Sequence, residues 1–229
     1  MAKPGCCRLA SLTRVNDDRL ARLRTEYAET GLDEEAAGSD PYVLFARWLD
    51  EAIVSGLHEA NAMTVSTLGL GGAPSSRIVL LKQVDPVGFV FYTNYRSGKS
   101  RELSTNPNCA LVFPWHPLQR QVRVEGTARR VSPAESDAYF ALRPRGSQLG
   151  AWASPQSQVV RDRGELDEIY AEVATRFPEG APIPRPPHWG GWRVEPRMVE
   201  FWQGRFARMH DRLRFSRDGD GWVRQRLAP

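Results

Sequence analysis

The amino-acid sequence predicts a mainly β fold of the α+β class, in which antiparallel strands form a sheet or barrel with helices around it. Strand-like segments are joined by tight turns at residues 69–72, 85–88 and 218–221, which are rich in glycine or aspartate. Helical patterns are grouped between these strands and do not alternate with them one by one. Because a parallel sheet requires that alternation, antiparallel pairing is favoured.

The elements before residue 62 are predicted to be helical. Residues 17–28 are amphipathic and predict a helix, whereas the polar residues 31–39 predict a linker. Asp40 and Pro41 are typical of a helix start, because aspartate caps the first amides and proline fits the first turn. Apolar residues then recur at helical spacing until Gly56. The chain is therefore divided into a flexible segment, 1–40, and a domain, 41–229.

The later elements follow from turn and capping signals. Ser132 and Glu135 have the spacing of a capping box and predict a helix start. Apolar residues between Leu166 and Phe177 recur at helical spacing, and from Trp192 onward the pattern predicts a meander of short strands. Between these signals the sequence predicts a short helix over 100–104 and strands at 62–68, 77–84, 89–93, 109–113 and 121–131.

Composition is that of an ordinary globular protein. The 229 residues are 41% hydrophobic and 25% charged, and residues 1–14 lack the apolar centre of a secretory signal. No apolar run approaches the ~20 residues that cross a bilayer. Cys6, Cys7 and Cys109 are too few and too unevenly spaced for a disulfide framework or a zinc site. These observations predict a cytoplasmic protein with no metal site and no membrane segment.

Positive charge is concentrated near the carboxyl end. The net charge is +4, and the residues from Gly191 onward include nine arginines and five acidic residues. A sequence pI near 9.2 is compatible with nucleic-acid binding. Acidic residues are nevertheless interleaved with basic ones almost throughout, which disfavours a nucleic-acid surface. Strongly salt-dependent binding to DNA or RNA would be the sign of that alternative.

Arg208, His210 and Arg212 form the most informative pattern. In an extended strand these alternate residues would share one face. Arginine binds phosphate through paired hydrogen bonds, and histidine exchanges a proton near neutral pH. The pattern predicts either a phosphorylated ligand with proton-coupled chemistry or the solvated face of an edge strand.

Three other segments have features of an anion site. A serine would cap a helix that begins beside Lys99, where free amides and a cation meet. Arg77 and Lys82 stand at the ends of an apolar strand, which is either a binding feature or a strand with both ends in solvent. Arg143 and Arg145 flank a proline, which would form an anion cradle or an ordinary loop.

Taken in order, these segments resemble the pyridoxine/pyridoxamine 5′-phosphate oxidase family. The resemblance covers about residues 20–229 and rests on an ordered set of short motifs, each of which is weak alone. The motifs are 77–82 (RIVLLK), 91–94 (FYTN), 113–116 (FPWH), 143–152 (RPRGSQLGAW), 156–157 (QS), 189–191 (WGG), 201–212 (FWQGRFARMHDR) and 226–229 (RLAP).

The resemblance implies an FMN-binding split β-barrel with peripheral helices that works as a homodimer, with FMN between the subunits. The implied FMN contacts are Arg77, Ile78, Val79, Leu80, Leu81, Lys82, Tyr92, Thr93, Lys99, Gln121, Gln156, Ser157, Trp202 and Arg212. The implied substrate contacts are Arg24, Tyr27, Lys82, Tyr139, Arg143, Ser147 and the catalytic pair Arg208 and His210. Arg24 and Tyr27 belong to the segment that would fold over the site as a lid. The chain departs from the family pattern at Gly98, where many members carry a second basic residue.

The implied activity is the oxidation of pyridoxine 5′-phosphate and pyridoxamine 5′-phosphate to pyridoxal 5′-phosphate. Molecular oxygen would be the acceptor, and hydrogen peroxide would be released, with ammonia from the amine. Two phosphates, one on FMN and one on the substrate, account for arginines in separate clusters. Two alternatives stay open: a same-fold oxidase of another reduced heterocycle, as in phenazine biosynthesis, and a flavin- or pyridoxal-phosphate-binding protein without turnover.

Overall fold

The computed structural model describes Tyr27 and residues 31–69 and 71–229. In this part of the chain nine strands form one antiparallel sheet with helices at its periphery, as predicted. The strands are β1 (Ala62–Leu68), β2 (Pro74–Leu80), β3 (Gln83–Asp85), β4 (Gly88–Asn94), β5 (Asn108–Trp115), β6 (Arg120–Arg130), β7 (Trp189–Gln203), β8 (Asp211–Asp218) and β9 (Gly221–Leu227). The helices are α1 (Glu34–Ala37), α2 (Pro41–Val54), α3 (Gly98–Thr105), α4 (Pro133–Ala141), α5 (Arg145–Ala153) and α6 (Arg163–Arg176).

The long strand β7 organises the sheet, because it has two partners along one edge. β6 pairs along its other edge, and the sheet continues from there through β5 and β1 to β2. On the divided edge, β4 pairs with residues 189–194 and β8 pairs with residues 198–203. The sheet therefore branches at the middle of β7, with β4 and β3 in one branch and β8 and β9 in the other.

Helix α2 packs against the sheet through its aromatic residues. The Phe45 ring centre lies 4.9 Å from that of Phe89 and 4.8 Å from that of Phe113. Trp48 packs edge-on against Phe201 of β7, with ring centres 5.3 Å apart. Phe45 is completely buried, so Phe45→Ala is expected to lower the free energy of unfolding by about 3–5 kcal/mol.

A second, smaller apolar cluster lies beside the first residues of β7. Phe140 of α4, Leu149 and Ala151 of α5, Ile183 and Trp189 are buried together. This cluster fixes α4 and α5 against the sheet, and these two helices form one wall of the cavity described below.

Local turn and capping predictions are confirmed. Asp40 accepts a hydrogen bond from the amide of Tyr42 at the start of α2. Ser132 and Glu135 form the capping box of α4. The turn at 218–221 joins β8 to β9 in direct register, from Asp218 to Gly221.

Three predicted elements between residues 77 and 203 differ from the structure. The strand predicted over 77–84 is two strands, because the Leu81 amide bonds to Asn61 of the preceding segment and the Leu81 side chain turns into the core. The last meander begins with the 15-residue strand β7 at Trp189, not with a short strand at Trp192. The segment after Arg143 was expected as a loop, but helix α5 begins at Arg145.

The segment expected as a polar linker, 31–39, packs against the domain. Its Leu32 is buried, and α1 is capped by Asp33. Glu34 forms an ion pair with Arg226 of β9. The helix predicted over 17–28 lies outside the described residues, apart from Tyr27. Within the described ranges, no helix is both long and apolar enough to cross a bilayer.

Candidate functional site

A cavity of about 580 Å³ opens between β2, β4 and the helices α3 to α5. This volume is typical of a small-molecule site. Residues predicted from the sequence line it from three directions. They are Ile78, Val79, Leu80 and Lys82 from β2 and beyond, Tyr92, Thr93 and Lys99 from β4 and α3, and Tyr139, Arg143, Ser147 and Gln156 from the α4–α5 region.

Lys99 is the cation at the inner end of this cavity. Ser97 caps α3, as predicted for a serine beside the lysine, by accepting a hydrogen bond from the Ser100 amide. Lys99 Nζ donates to Thr93 Oγ1 at 3.0 Å and to Gln156 Oε1 at 3.1 Å, and both acceptors are uncharged. Burial, and then the charge of Arg77, lower the pKa of Lys99 to about 8. An anion bound here would reverse that shift and supply the missing negative charge.

Arg77 stands behind the cavity wall. Its Nη1 donates to Thr67 Oγ1 at 2.5 Å, and its Nη2 donates to Glu102 Oε2 at 2.9 Å. Leu81, also predicted to contact a cofactor, is buried in the main core. These two residues are therefore beside the site without lining it.

Stacked aromatic rings form the wall opposite β2. The Tyr92 and Tyr139 ring centres are 4.0 Å apart, and the Tyr92 and Trp189 ring centres are 5.5 Å apart. Burial raises the pKa of both tyrosines, which keeps their hydroxyls protonated at neutral pH. The wall is thus an uncharged surface suited to a planar ring or to a guanidinium.

Arg143 lies on this wall with unused hydrogen-bonding capacity. Its guanidinium carbon is 4.5 Å from the Trp189 ring centre. Arg143 Nη1 is buried and has no hydrogen-bond partner within the described ranges. Burial lowers the pKa of Arg143, because the charged form is partly desolvated. Because Arg143 lines the cavity, an anionic ligand bound there is the acceptor that this donor lacks.

Arg145, the other arginine of that segment, has a structural role. Its guanidinium donates to the carbonyl oxygens of Phe177, Pro178 and Ala181, just beyond the end of α6. It therefore ties α5 to the loop after α6. Because both arginines flank the same proline, their spacing gave no means of telling them apart.

Ser157 and Gly98 face each other at the rim near Lys99. Ser157 is exposed and has a left-handed backbone, with φ of 66°. A Cβ atom built at Gly98 would lie 3.7 Å from Ser157 Oγ, which is an ordinary contact. The structure therefore has room for a side chain at the position where the chain departs from the family pattern.

Another group of predicted residues lies at the far end of β7. Gln121 of β6, Trp202 of β7 and Arg212 of β8 are direct neighbours across the three strands. The Trp202 and His210 ring centres are 4.7 Å apart, and the Tyr27 ring contacts both. The structure therefore brings these residues together, but away from the cavity. Arg24 lies outside the described residues.

The expectation that Arg208, His210 and Arg212 share one strand face is wrong. Strand β8 begins only at Asp211, and residues 206–208 form a 3₁₀ turn. Ala207 and Arg208 both have positive φ, at 53° and 64°. Two consecutive left-handed residues break the alternation of an extended strand, so the three side chains are placed by a loop.

The loop fixes the tautomer of His210. The Arg205 amide donates to His210 Nδ1 at 3.1 Å, so the neutral ring carries its hydrogen on Nε2. Burial, and then the charge of Arg208, lower the pKa of His210. The ring is therefore a neutral donor at neutral pH, held against Trp202.

The two groups lie too far apart for one ligand in one chain. Trp189 begins β7 beside the cavity, and Trp202 stands near its end. An extended strand rises ~3.3 Å per residue, so these two residues are roughly 40 Å apart along it. One chain therefore presents two partial sites.

Trp189, Asn94 and Ser154 also line the cavity, although they were not predicted as site residues. A signal for Trp189 was available in the two glycines that follow it. A Cβ atom at Gly190 would lie 2.2 Å from the Tyr95 hydroxyl, and one at Gly191 would lie 2.8 Å from the Tyr92 ring. Paired glycines after a tryptophan therefore mark a strand against which aromatic rings pack closely.

Two protein families match the sequence of this chain. The family described as Pyridoxamine 5'-phosphate oxidase matches residues 49–177. The chain belongs to this family. A second family, the Pyridoxine 5'-phosphate oxidase C-terminal dimerisation region, matches residues 189–229. FMN is the cofactor on which the pyridoxamine 5'-phosphate oxidase family depends.

Curated relatives of this oxidase family match over nearly their whole length. A pyridoxine/pyridoxamine 5'-phosphate oxidase from Rubrobacter xylanophilus is 59% identical over 210 residues, covering 92% of this chain and 96% of the relative. One from a Nocardioides species is 56% identical, covering 92% of this chain and 98% of the relative.

Solved structures agree on the fold. PhzG from Burkholderia lata, in complex with tetrahydrophenazine-1-carboxylic acid, matches with a TM-score of 0.81 and 32% identity, covering 88% of this chain and 99% of that chain. A pyridoxamine 5'-phosphate oxidase-related, FMN binding protein from Nostoc punctiforme matches with a TM-score of 0.67 at 17% identity, covering 84% of this chain and 100% of that chain. The predicted split β-barrel of the oxidase family is confirmed.

Proposed function

We propose that this protein oxidises pyridoxine 5′-phosphate and pyridoxamine 5′-phosphate to pyridoxal 5′-phosphate. FMN is the cofactor and molecular oxygen the acceptor, with release of hydrogen peroxide and, from the amine, ammonia. The observation that carries the proposal is the buried, unpartnered Nη1 atom of Arg143, a residue that lines the same cavity as Lys99. Two separate cationic positions in one cavity suit a cofactor phosphate and a substrate phosphate.

The cofactor phosphate belongs at the Lys99 end of the cavity. Lys99 is a buried cation with uncharged partners, and it lies beside the start of α3. Ser157 stands at the rim, and Arg77 contributes a second positive charge from behind. The rest of the cofactor would lie along β2 and β4, where the lining residues are Ile78, Val79, Leu80, Lys82, Tyr92, Thr93 and Gln156.

The substrate phosphate belongs at the Arg143 end. Ser147, in the first turn of α5, also lines this end, and the Tyr139 ring stacks on the same wall. Lys82 lies across the cavity, exposed to solvent. Arg143 would donate its free Nη1 hydrogens to phosphate oxygens while its face stays on Trp189. This arrangement favours a phosphorylated substrate over an unphosphorylated heterocycle.

The complete site is formed by two copies of the chain. Residues 189–229 match a dimerisation region, and Gln121, Trp202 and Arg212 stand at the end of β7 opposite the cavity. Exposed apolar side chains lie in both places: Ile78 and Leu142 beside the cavity are 72% and 81% exposed, and Phe206 and Met209 beside His210 are 61% and 66% exposed. A homodimer that places one group on the other would cover these side chains and complete two equivalent sites.

FMN, when bound, supplies the redox chemistry by accepting a hydride from the substrate carbon that is oxidised and returning electrons to oxygen. Arg208 and His210 of the second copy would bind the substrate and orient it toward the bound FMN. His210 offers the Nε2 hydrogen to the substrate, because its Nδ1 is occupied by the Arg205 amide. Tyr27, in contact with His210, belongs to an amino-terminal segment that we propose as a lid.

The test is to saturate the protein with FMN, add pyridoxine 5′-phosphate or pyridoxamine 5′-phosphate without oxygen, and follow the visible flavin band. Bleaching that recovers in air supports the proposal. Bleaching only by an unphosphorylated reduced heterocycle would favour a PhzG-like activity instead. A flavin that stays oxidised with every substrate would leave a binding protein without turnover.

A further inference from the structure

Three side chains behind the cofactor end of the cavity form a closed hydrogen-bonded triangle. Thr67 Oγ1 donates to Glu102 Oε2 at 2.5 Å and accepts from Arg77 Nη1 at 2.5 Å. Arg77 Nη2 closes the triangle with Glu102 Oε2 at 2.9 Å. A hydroxyl has one hydrogen to donate and a guanidinium only donates, so the Thr67 hydrogen points to Glu102 and its oxygen accepts from Arg77.

The triangle holds Arg77 in one place. Thr67 is buried, and the Arg77 and Glu102 side chains are only 23% and 15% exposed. Ser75 accepts further hydrogen bonds from the same guanidinium, through its carbonyl and its hydroxyl. Arg77 comes from β2 and Glu102 from α3, so the ion pair also joins the two elements that border the cofactor end of the cavity.

Glu102 also sets the charge balance around Lys99. Lys99 stands three residues earlier on α3, so both side chains project from the same face of the helix. The positive charge of Arg77 lowers the pKa of Lys99, and the negative charge of Glu102 opposes that effect. Hydrogen bonds from Thr67 and Arg77 outweigh burial and lower the pKa of Glu102, which keeps it ionised.

We propose that Glu102 is a positioning residue for the FMN phosphate, acting through Arg77. It does not line the cavity, but it hydrogen-bonds the guanidinium of Arg77, which adds its positive charge to that of Lys99 from behind the cavity wall. This inference rests on the proposed function, since it takes FMN as the occupant of the cavity. Glu102 would thus increase the affinity for FMN, although its own negative charge repels the phosphate.

Positioning and charge make opposite predictions for the same substitution. If Glu102 acted only through its charge, removing it would raise the positive potential and tighten FMN binding. If Glu102 positions Arg77, removing it leaves the guanidinium held only by uncharged acceptors and weakens FMN binding. Glu102→Gln separates the two effects further, because the amide oxygen still accepts from Arg77 while the charge is gone.

The experiment measures FMN and riboflavin dissociation constants by quenching of flavin fluorescence in the apoprotein. Glu102→Ala is expected to weaken FMN binding roughly tenfold, about the effect of losing one charge-assisted hydrogen bond. Riboflavin binding should stay nearly unchanged, because riboflavin has no phosphate. Thr67→Val should weaken FMN binding in the same direction, and Glu102→Gln should restore most of the affinity. Glu195→Ala is the matched control, because Glu195 pairs with Arg129 and does not line the cavity.

Three outcomes would overturn the proposal. Tighter FMN binding in Glu102→Ala would mean that charge alone matters, and equal losses for FMN and riboflavin would mean a general structural role. Unchanged FMN binding in a folded variant, judged by its circular dichroism, would remove any role. If wild-type protein binds neither flavin, the proposed function itself fails, which is a different result from any of these.

Discussion

The amino group of Lys99 lies 3.1 Å from the side-chain oxygen of Gln156, across 57 residues of sequence. Thr93 Oγ1 donates to the same amide oxygen at 2.9 Å, so residues from α3, β4 and the loop after α5 meet at one point. Only uncharged groups accept hydrogen bonds from Lys99 Nζ among the described contacts. The cofactor end of the cavity is therefore built around a cation that is ready for an anion.

FMN affinity is expected to fall as pH rises above about 8, the lowered pKa of Lys99. Below that pH the free protein already carries the Lys99 proton, so binding is at full strength. Above it, FMN must bind together with a proton, so affinity falls by at most ~10-fold per pH unit. Flavin-fluorescence titrations at pH 7 and pH 9 measure the effect. Arg77 and Glu102 are the charged groups that influence Lys99.

Lys99→Arg provides the control for this pH dependence. Arginine stays charged throughout the range, so the variant should bind FMN with nearly the same affinity at both pH values. An equal decline in the variant and the wild-type protein would assign the pH dependence to another group.

Arg143→Met is expected to raise the KM for pyridoxine 5′-phosphate and to lower kcat/KM by roughly 100-fold, through loss of a charge-assisted phosphate contact. The apoprotein should unfold at the same temperature or higher, because the variant removes a buried donor that lacks a partner. Steady-state kinetics and thermal unfolding measure the two effects. Arg163→Met, at an exposed position of α6, should change neither. A normal KM in Arg143→Met would contradict the assignment.

Gly98→Arg is expected to tighten FMN binding by up to about tenfold, by adding a cation beside Lys99. A Cβ atom at Gly98 meets only Ser157, at ordinary contact distances of 3.7 and 3.9 Å, so the fold tolerates it. Gly98→Ala should leave the FMN dissociation constant nearly unchanged, which separates the charge from the side chain itself. Equal affinities in both variants would show that this position does not face the phosphate.

His210→Ala is expected to lower kcat at least tenfold without changing FMN content. In the wild-type protein, burial and Arg208 lower the pKa of His210, so the ring stays neutral from pH 7 to pH 8 and kcat should be level there. Activity should fall on the acid side, where protonation of Nδ1 breaks the hydrogen bond from Arg205. The variant should lose this acid limb in a kcat-pH profile, and an unchanged limb would point to another titrating group.

Local chemistry made much of the fold predictable. Ser132 and Glu135 cap α4 because the side chain of each accepts a hydrogen bond from the backbone amide of the other. Both residues lie within four positions of sequence, so the capping box can be read locally. The loop after β7 was not predictable in the same way. Strand alternation predicted that Arg208 and His210 share one face. In the structure the chain turns before β8, because Ala207 and Arg208 have positive φ. Neither residue is a glycine, so this turn had no signal in the sequence.

The site residues also differ in how far they could be predicted from the sequence. Residue types and motif order identified Lys99, Arg143 and Gln156, which the fold brings to one cavity. Arg143 lines the cavity, whereas Arg145 bonds to the loop after α6. This difference depends on the direction in which α5 continues from Pro144, which local sequence does not determine. The triangle of Thr67, Arg77 and Glu102 joins three segments distant in sequence, so no local pattern pointed to it.

The opposite placement of the two residue groups along β7 has a genetic consequence in the proposed homodimer. A defect in the cavity, such as Arg143→Met, and a defect at the other end, such as His210→Ala, would damage different halves of each composite site. In a mixed dimer of the two impaired chains, one site would contain both defects and the other would contain neither. Co-expression of the two impaired alleles should therefore give more activity than either allele alone, which is intragenic complementation.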